Sequence, residues 1–243
     1  MTTLNGPILA EYQDLYSSSS TNGGPGGTGA LNLGQKAYSG DGREFRFVLA
    51  GGTALVPGKL QQAQAETTGW ENLGIAAAAV GANTITTTST VTVTANAWAG
   101  GFVMVTITPG VGYMYRIKSN PAATSAVVTI TLDDTIQVAL TTSSKIDVIA
   151  SPYNAVIVNP ATATGTPVGV AIYPVTASQY GWIQVTGATN LLADGAITVG
   201  TSLVASNAVA GAVEPATGVQ ALVGTAITAI SDTEYGSVML KLA

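Results

Sequence analysis

Apolar and polar residues alternate along most of the chain beyond residue 83. Residues 84–95 alternate Thr with Ile and Val, and residues 102–108 place Val103, Val105 and Ile107 on one side. Since successive side chains of a strand point to opposite faces, this alternation predicts half-buried β-strands. The same pattern predicts further strands at residues 43–49, 113–118, 127–132, 146–149, 168–173, 180–186 and 235–242.

Turn-forming residues lie between these strands. Ser39-Gly40-Asp41-Gly42 precedes the strand that begins at Arg43, and Pro109-Gly110-Val111-Gly112 joins two later strands. Short strands that recur at roughly 8–12-residue spacing, with Gly, Pro and Asn between them, are typical of sandwiches and barrels. The sequence therefore predicts an all-β fold whose body is a β-sandwich or barrel of short strands.

Helix is predicted in only two places. Residues 7–16 would form a short amphipathic helix, with Ile8, Tyr12 and Leu15 near one face. Residues 59–66 are the second candidate. No other segment has the apolar spacing of a helix.

Residues 1–46 differ in composition from the rest and predict an extended N-terminal arm. The run SSSSTNGGPGGTG, residues 17–29, is a flexible tether with no apolar residue to pack. We expect the arm to become ordered against a neighbouring subunit, because it has no core of its own; a disordered tail is the alternative. The body is expected to divide into a first β domain at 47–163 and a C-terminal β domain at 164–243, or to be one continuous body.

Charge is sparse along the whole chain. Charged residues make up 9% of the 243 residues, against roughly 25% in ordinary soluble domains, and the net charge is −5. Either Thr, Ser and Asn coat the surface or partners cover it, and we favour partners. No basic footprint for nucleic acid exists. No apolar run approaches the roughly 20 residues of a membrane span, and no signal peptide is recognisable.

The composition leaves few routes to catalysis. The chain has no His and no Cys, which excludes Ser-His-Asp and Cys-His systems and the usual zinc ligands. Asp133 and Asp134 form the one adjacent carboxylate pair, and a turn explains them better than paired-carboxylate hydrolysis or a calcium site. Trp70, Trp98 and Trp182 predict core or interface packing, with a sugar-binding platform as the alternative. We therefore predict no enzyme activity, no cofactor and no metal site.

Three segments resemble proteins of tailed-bacteriophage heads. They are QYGWIQVTGATNLLADGAITVGTSLVASNAVAGAVEPATG at 179–218, VGTAITAISDTEYGSVMLKLA at 223–243 and GDGREFRFVLAGGTALVPGKL at 40–60, together roughly half of the chain. The proteins they are similar to are capsid decoration or cement proteins and other minor virion structural proteins. The resemblance implies β-rich subunits, often homotrimers, that sit on the outside of a shell and lock neighbouring major capsid subunits together.

The resemblance, the sparse charge and the arm together predict a non-enzymatic structural protein of the virion, which stabilises a bacteriophage capsid as a decoration or cement protein. Its expected partners are the major capsid protein and its own copies, with no nucleic acid and no membrane. It is expected on the capsid exterior, after synthesis in the host cytoplasm. The residues predicted to bind partners are Tyr12, Tyr16, Arg43 and Arg46.

Two other classes of function remain open at this point. The first is a different virion part: the major shell subunit, a head fibre or a tail component. The second is a surface carbohydrate-binding module or a carboxylate-based glycoside hydrolase. The first alternative differs from the decoration protein in copy number per particle, and the second in binding or cleaving glycans.

Overall fold

A computed structural model describes residues 8–9, 15–20, 31–65 and 67–242. These residues form an all-β fold, which confirms the predicted fold class. In chain order the strands are β1 (Ile8–Leu9), β2 (Lys36–Tyr38), β3 (Glu44–Leu49), β4 (Leu60–Gln62), β5 (Leu73–Gly74), β6 (Thr84–Thr88), β7 (Thr92–Val93), β8 (Phe102–Ile107), β9 (Met114–Ser119), β10 (Ala123–Thr124), β11 (Val127–Leu132), β12 (Lys145–Ile149), β13 (Ile157–Val158), β14 (Pro167–Ala171), β15 (Tyr180–Leu192), β16 (Ser202–Ala205), β17 (Val213–Pro215), β18 (Gly224–Ala226) and β19 (Tyr235–Lys241). Within these residues, no helix has both the length and the apolar character to span a membrane.

Contacts divide the chain into two compact units. One is formed by Met1–Ala65 with Pro152–Ala243, and the other by Glu66–Ser151. The second unit is thus an insertion into the first, whereas the sequence-based boundaries after residues 46 and 163 divide the chain in linear order. The insertion arises because β4 pairs with β13 and β14, which follow the inserted unit in the chain.

One sheet organises the first unit as a half-barrel. Its path runs β1-β2-β3-β15-β19-β18-β16-β17, and β4, β13 and β14 attach beside β15. The 13-residue strand β15 is central, because its first half pairs with β3 and its second half with β19. Apolar clusters lie on both faces of the β3–β15 pair: Phe45, Phe47 and Trp182 on one face, Val48 and Ile183 on the other.

The second unit is a nearly closed barrel with a core of its own. Its six-stranded sheet runs β5-β12-β8-β9-β11-β6, and a bridge between Ile75 and Thr87 brings the two ends of this sheet together. Alternate residues of these strands point inward and form a cluster that contains only residues of this unit. Within it the Trp70 and Trp98 rings meet edge to face, with centroids 5.6 Å apart.

Most of the predicted strands are present, and the predicted packing of the tryptophans is confirmed. The strands β3, β8, β9, β11, β12, β14, β15 and β19 lie where the alternation placed them. The predicted strand at 84–95 is instead two short strands, β6 and β7. Trp70, Trp98 and Trp182 are at most 8% exposed, so they pack in cores and none is a sugar-binding platform.

The helix predicted at residues 59–66 is wrong. Leu60–Gln62 is the strand β4, and all three of its residues are buried. Pairing with β13 and β14 satisfies its backbone, and the Gln62 side-chain amide donates to the hydroxyl of Thr164 at 2.8 Å. Long-range pairing therefore overrides the local helix preference of this segment.

The N-terminal arm packs on its own chain. Ile8–Leu9 pairs in parallel with β2, so the helix predicted at residues 7–16 is wrong at these two positions. Leu15 is helical and Tyr16 lies in a turn, and residues 10–14 lie outside the described part. Leu15 is 1% exposed and joins the cluster of Phe45, Phe47 and Trp182. The expectation that the arm has no core within its own subunit is therefore wrong, because β3 and β15 offer it an apolar face.

Candidate functional site

An open pocket of about 640 Å³ lies in the first unit, where β14, β15 and β19 approach the loop before β3. Side chains from all of these elements line it. Asn190 of β15 pairs directly with Ser237 of β19, so both side chains lie on the same face of the sheet. Both are exposed. The pocket therefore has a polar wall made by two neighbouring strands.

A buried glutamine also lines the pocket. Gln184 is 0% exposed, and its Nε2 donates to the carbonyl oxygens of Thr186 at 2.9 Å and Ala188 at 3.0 Å. Both amide hydrogens are thereby used, which leaves Oε1 as a pure acceptor. This oxygen is buried and has no hydrogen-bond partner among the described residues. A buried unpaired acceptor is costly. A ligand could supply the missing donor only if the side chains that cover this oxygen moved aside, because the oxygen has almost no accessible surface.

The bonds of Gln184 support a kink in β15. The pairing register with β3 shifts between Gln184 and Thr186, and Gly187 has a φ of 90°. A Cβ at Gly187 would lie 2.9 Å from Cγ of Arg43, so the arginine side chain crosses this backbone closely. Glycine is required here both for its φ and for the close approach.

Arg43 forms a second wall of the pocket and is held by an acidic partner. Its Nε donates to Oδ2 of Asp41 at 2.7 Å, and its guanidinium carbon lies 5.4 Å from the centroid of the Phe45 ring. Partial burial lowers the pKa of Arg43, but hydrogen bonds with Tyr16 and Asp41 and their charges raise it more, so the net shift is upward. Arg43 is therefore cationic, and a neighbouring carboxylate balances its charge.

The carboxylate of Asp41 is stabilised as an anion. The hydroxyl of Ser39 donates to it, as do the backbone N–H and the guanidinium of Arg43. The bond from Ser39 has the largest effect, and together these contacts lower the pKa of Asp41 to about 2. The pair Asp41–Arg43 consequently leaves this side of the pocket close to neutral overall.

Two tyrosines supply aromatic surface to the pocket. The Tyr235 ring lies on the backbone of Gly58, where a Cβ would be 2.7 Å from its Cε1, and the residue remains 47% exposed. Tyr16 meets Tyr173 edge to face, with centroids 6.4 Å apart. The pocket thus combines exposed ring faces with uncharged polar side chains.

The structure brings together two of the four residues predicted to bind partners. Tyr16 and Arg43 line the same pocket and share a hydrogen bond. Arg46 lies on the opposite face of β3, where its Nη1 donates to the Gly34 carbonyl at 2.9 Å and its guanidinium carbon lies 5.5 Å from the Tyr153 ring centroid. Tyr12 lies outside the described residues. That any of these residues binds a partner stays a prediction.

A second surface lies in the inserted unit, and we call it the outer patch. It consists of Phe102, Met104, Met114 and Ile149 on the solvent side of the strands β12, β8 and β9. Phe102 pairs with Ile149, and Met104 pairs with Met114, so the four side chains are neighbours on one face. Met114 is 58% and Ile149 is 47% exposed.

The adjacent carboxylates behave as the turn interpretation predicted. Asp133 and Asp134 lie in a bend after β11, and Asp133 accepts a hydrogen bond from Nη1 of Arg116 at 3.2 Å. Within the described part of the chain, no group of three or more acidic, His or Cys side chains could hold a metal ion. Asp133, just after β11, therefore forms an ion pair with Arg116 of the neighbouring strand β9.

Sequence reasoning did not find Gln184, Asn190, Tyr235 or Ser237. Asn190 and Ser237 lie far apart in the chain, and only the β15–β19 register brings them together. Gln184 carried a usable signal, because it is a polar residue in the apolar run Trp182–Val185, at a position facing the core.

No family model, curated protein or solved structure matches this chain. The resemblance to phage head proteins therefore stays a prediction. What the pocket and the outer patch can do follows from their own residues.

Proposed function

We propose that this chain is a structural virion protein that decorates and cements the outer surface of a phage capsid. In this role it binds major capsid subunits and assembles as a homotrimer. The outer patch is the observation that supports the proposal best. Four large apolar side chains lie together on the solvent side of a sheet. Arg116 lies opposite Phe102 and Asp147 lies opposite Met104, so two charged residues border the four apolar ones. An apolar centre with a charged rim is typical of protein–protein interfaces.

The patch suits an adhesive mechanism. Each large apolar side chain that moves fully from water into an interface contributes about 1.5–3 kcal/mol. Met104 and Met114 add adaptability, since methionine fills irregular gaps on a partner surface. A modest contact that repeats over a capsid lattice acts as multivalent binding, which raises the free energy needed to open the shell.

The proposal is tested first on particles. Virions of the phage that encodes the chain are purified on a density gradient, and the copy number of the chain per major capsid protein is measured by quantitative mass spectrometry. We expect a fixed ratio set by the shell lattice. Absence from the virion, or only a few copies at one vertex or in the tail, contradicts decoration; a few copies favour a head fibre or tail component instead.

The trimer is tested on the purified protein. Sedimentation equilibrium of the full chain should give three times the chain mass of 24.3 kDa. A monomer at all concentrations would contradict the homotrimer while leaving capsid binding to be judged by the particle experiment.

The role of the outer patch is tested with a charge placed in it. Met114→Lys should weaken binding to particles that lack the protein by tenfold or more, because the charge would lose its water on contact. Val199→Lys is the matched control, since Val199 is 66% exposed in the other unit. Equal binding by both variants would remove the patch from the interface. Circular dichroism checks that both remain folded.

A further inference from the structure

The pocket of the first unit has features that the proposed capsid contact does not use. Its exposed ring of Tyr235, its polar pair Asn190 and Ser237, and its buried acceptor on Gln184 all belong to one cavity of about 640 Å³. That volume lies within the range of about 300–1,000 Å³ that is usual for small-molecule sites. We propose that this pocket binds a neutral saccharide. The inference does not depend on the capsid role.

Hydrogen-bond capacity is the first argument for a polyhydroxylated ligand. Oε1 of Gln184 has no donor among the described residues, and a small movement of the side chains that cover it would be needed for a ligand hydroxyl to reach it. Asn190 and Ser237 offer both donors and acceptors on the adjoining wall. A sugar hydroxyl donates and accepts at once, so neighbouring hydroxyls of one ring can bind the side chains of Asn190 and Ser237 together.

Aromatic surface is the second argument. The Tyr235 ring rests on Gly58 and keeps 47% of the residue exposed. Its position is fixed, since the glycine has no Cβ and the ring lies directly against the backbone. A fixed ring face beside polar groups suits a sugar, which has an apolar C–H face and polar edges. The same ring would add little to the affinity for an ion or for a fully polar ligand.

Charge is the third argument, and it selects a neutral ligand. Among the described residues that line the pocket, Arg43 is the one cationic side chain, and it is paired with Asp41 at 2.7 Å. Its remaining hydrogen-bond capacity is partly used by Tyr16. An acidic sugar would therefore meet an arginine whose charge is already balanced, and it would also approach the carboxylate of Asp41.

The experiment uses the full chain labelled with ¹⁵N and four probes: the methyl glycosides of glucose, galactose, mannose and N-acetylglucosamine. One sugar ring in an open pocket is expected to bind with a Kd on the order of 1 mM. At least one probe should shift the side-chain amide signals of Gln184 and Asn190 in a saturable way. If no probe shifts them, the proposal is wrong.

Wall residues supply the variants, because changing Gln184 would also remove its support of β15. Tyr235→Ala should weaken binding about tenfold through loss of the ring face, and Ser237→Ala should weaken it severalfold. Tyr113→Ala is the matched control, since Tyr113 is 41% exposed in the other unit. Binding that Tyr235→Ala retains in full would place the sugar elsewhere and overturn the assignment.

An anionic probe tests the charge argument separately. Methyl glucuronide should bind no more tightly than methyl glucoside, because Arg43 is already paired. Tenfold tighter binding of the glucuronide would overturn the neutral class of ligand. Loss of capsid binding in the Met114→Lys variant has no bearing on these results, since the outer patch and the pocket share no residue.

Discussion

The docking of the N-terminal arm can be tested by truncating one side chain. Leu15 is 1% exposed and packs with Phe45, Phe47 and Trp182. Leu15→Ala would remove most of that contact without changing charge. This variant therefore measures how much the packing of Leu15 contributes to holding the arm on its own subunit.

The size of the effect follows from the contacts that hold the arm. A buried Leu→Ala change costs about 2–5 kcal/mol, including the cavity that it leaves. Ser19 and Tyr180 exchange two backbone hydrogen bonds, at 2.9 and 2.8 Å, and each contributes about 0.5–1.5 kcal/mol. Ser18 Oγ also donates to Oε1 of Gln179 at 2.9 Å, Tyr16 contacts Arg43 and Tyr173, and β1 pairs with β2. The lost packing is therefore comparable with the two Ser19–Tyr180 bonds but is one contact among several, and we expect residues 15–20 to open locally more often. The free energy of global unfolding then falls only by the amount that docking of the arm had contributed to it.

Hydrogen exchange measured by mass spectrometry separates the two events. In the parent protein the peptide that contains residues 15–20 should be protected, and Leu15→Ala should speed its exchange roughly 30-fold or more, the equivalent of about 2 kcal/mol. Peptides of the inserted unit should not change. Leu222→Ala is the matched control, because Leu222 is 53% exposed in the same unit as Leu15. If both variants exchange alike and unfold at the same urea concentration, the arm is not docked on its own chain.

Three further predictions concern stability. Residues 66–151 expressed alone should unfold cooperatively by circular dichroism, because their core is self-contained; a gradual transition would contradict this. Gly187→Ala should cost about 1–3 kcal/mol more in urea unfolding than Gly200→Ala, since both have positive φ but only Gly187 meets Arg43; equal costs would refute the contact. The pKa of Asp41 is lowered from 3.8 to about 2 in the folded state, which adds stability that is present above pH 4 and lost as the pH falls toward 2. Asp41→Asn should therefore make the free energy of unfolding depend less on pH between 4 and 2. An unchanged pH dependence would refute this prediction.

The fold class was predictable because alternation is a local property. Strands such as β8, β9 and β11 need only their own residues to show which face is buried. The order of strands was not predictable in the same way. The short strand β4 is held by partners that come after an entire inserted unit, and its local pattern favoured a helix. Distant pairing, rather than local preference, decided its structure.

The candidate site was predictable only in part, for a related reason. Tyr16 and Arg43 stood out because they flank a tether and a turn, and both line the pocket. Arg46 was predicted beside Arg43 at the start of the same strand, but alternation along β3 turns it to the other face. Tyr235 and Ser237 come from the last strand, and no local signal connects them to Arg43. Their meeting depends on the register of β15 with both β3 and β19.

The strand β15 is longer than the sequence predicted, and the kink at Gly187 within it lies beside the pocket. The predicted strand ended at residue 186, yet β15 continues to Leu192. It continues because Thr186–Leu192 pairs with β19 without a break, although the pairing with β3 ends at Thr186. Gln184 adds hydrogen bonds to the carbonyls of Thr186 and Ala188, on either side of Gly187. Oε1 of the same amide is buried and unpaired, and Gln184 lines the pocket. A polar residue inside an apolar strand, followed three positions later by glycine, is therefore a sequence signal for both the kink and the pocket.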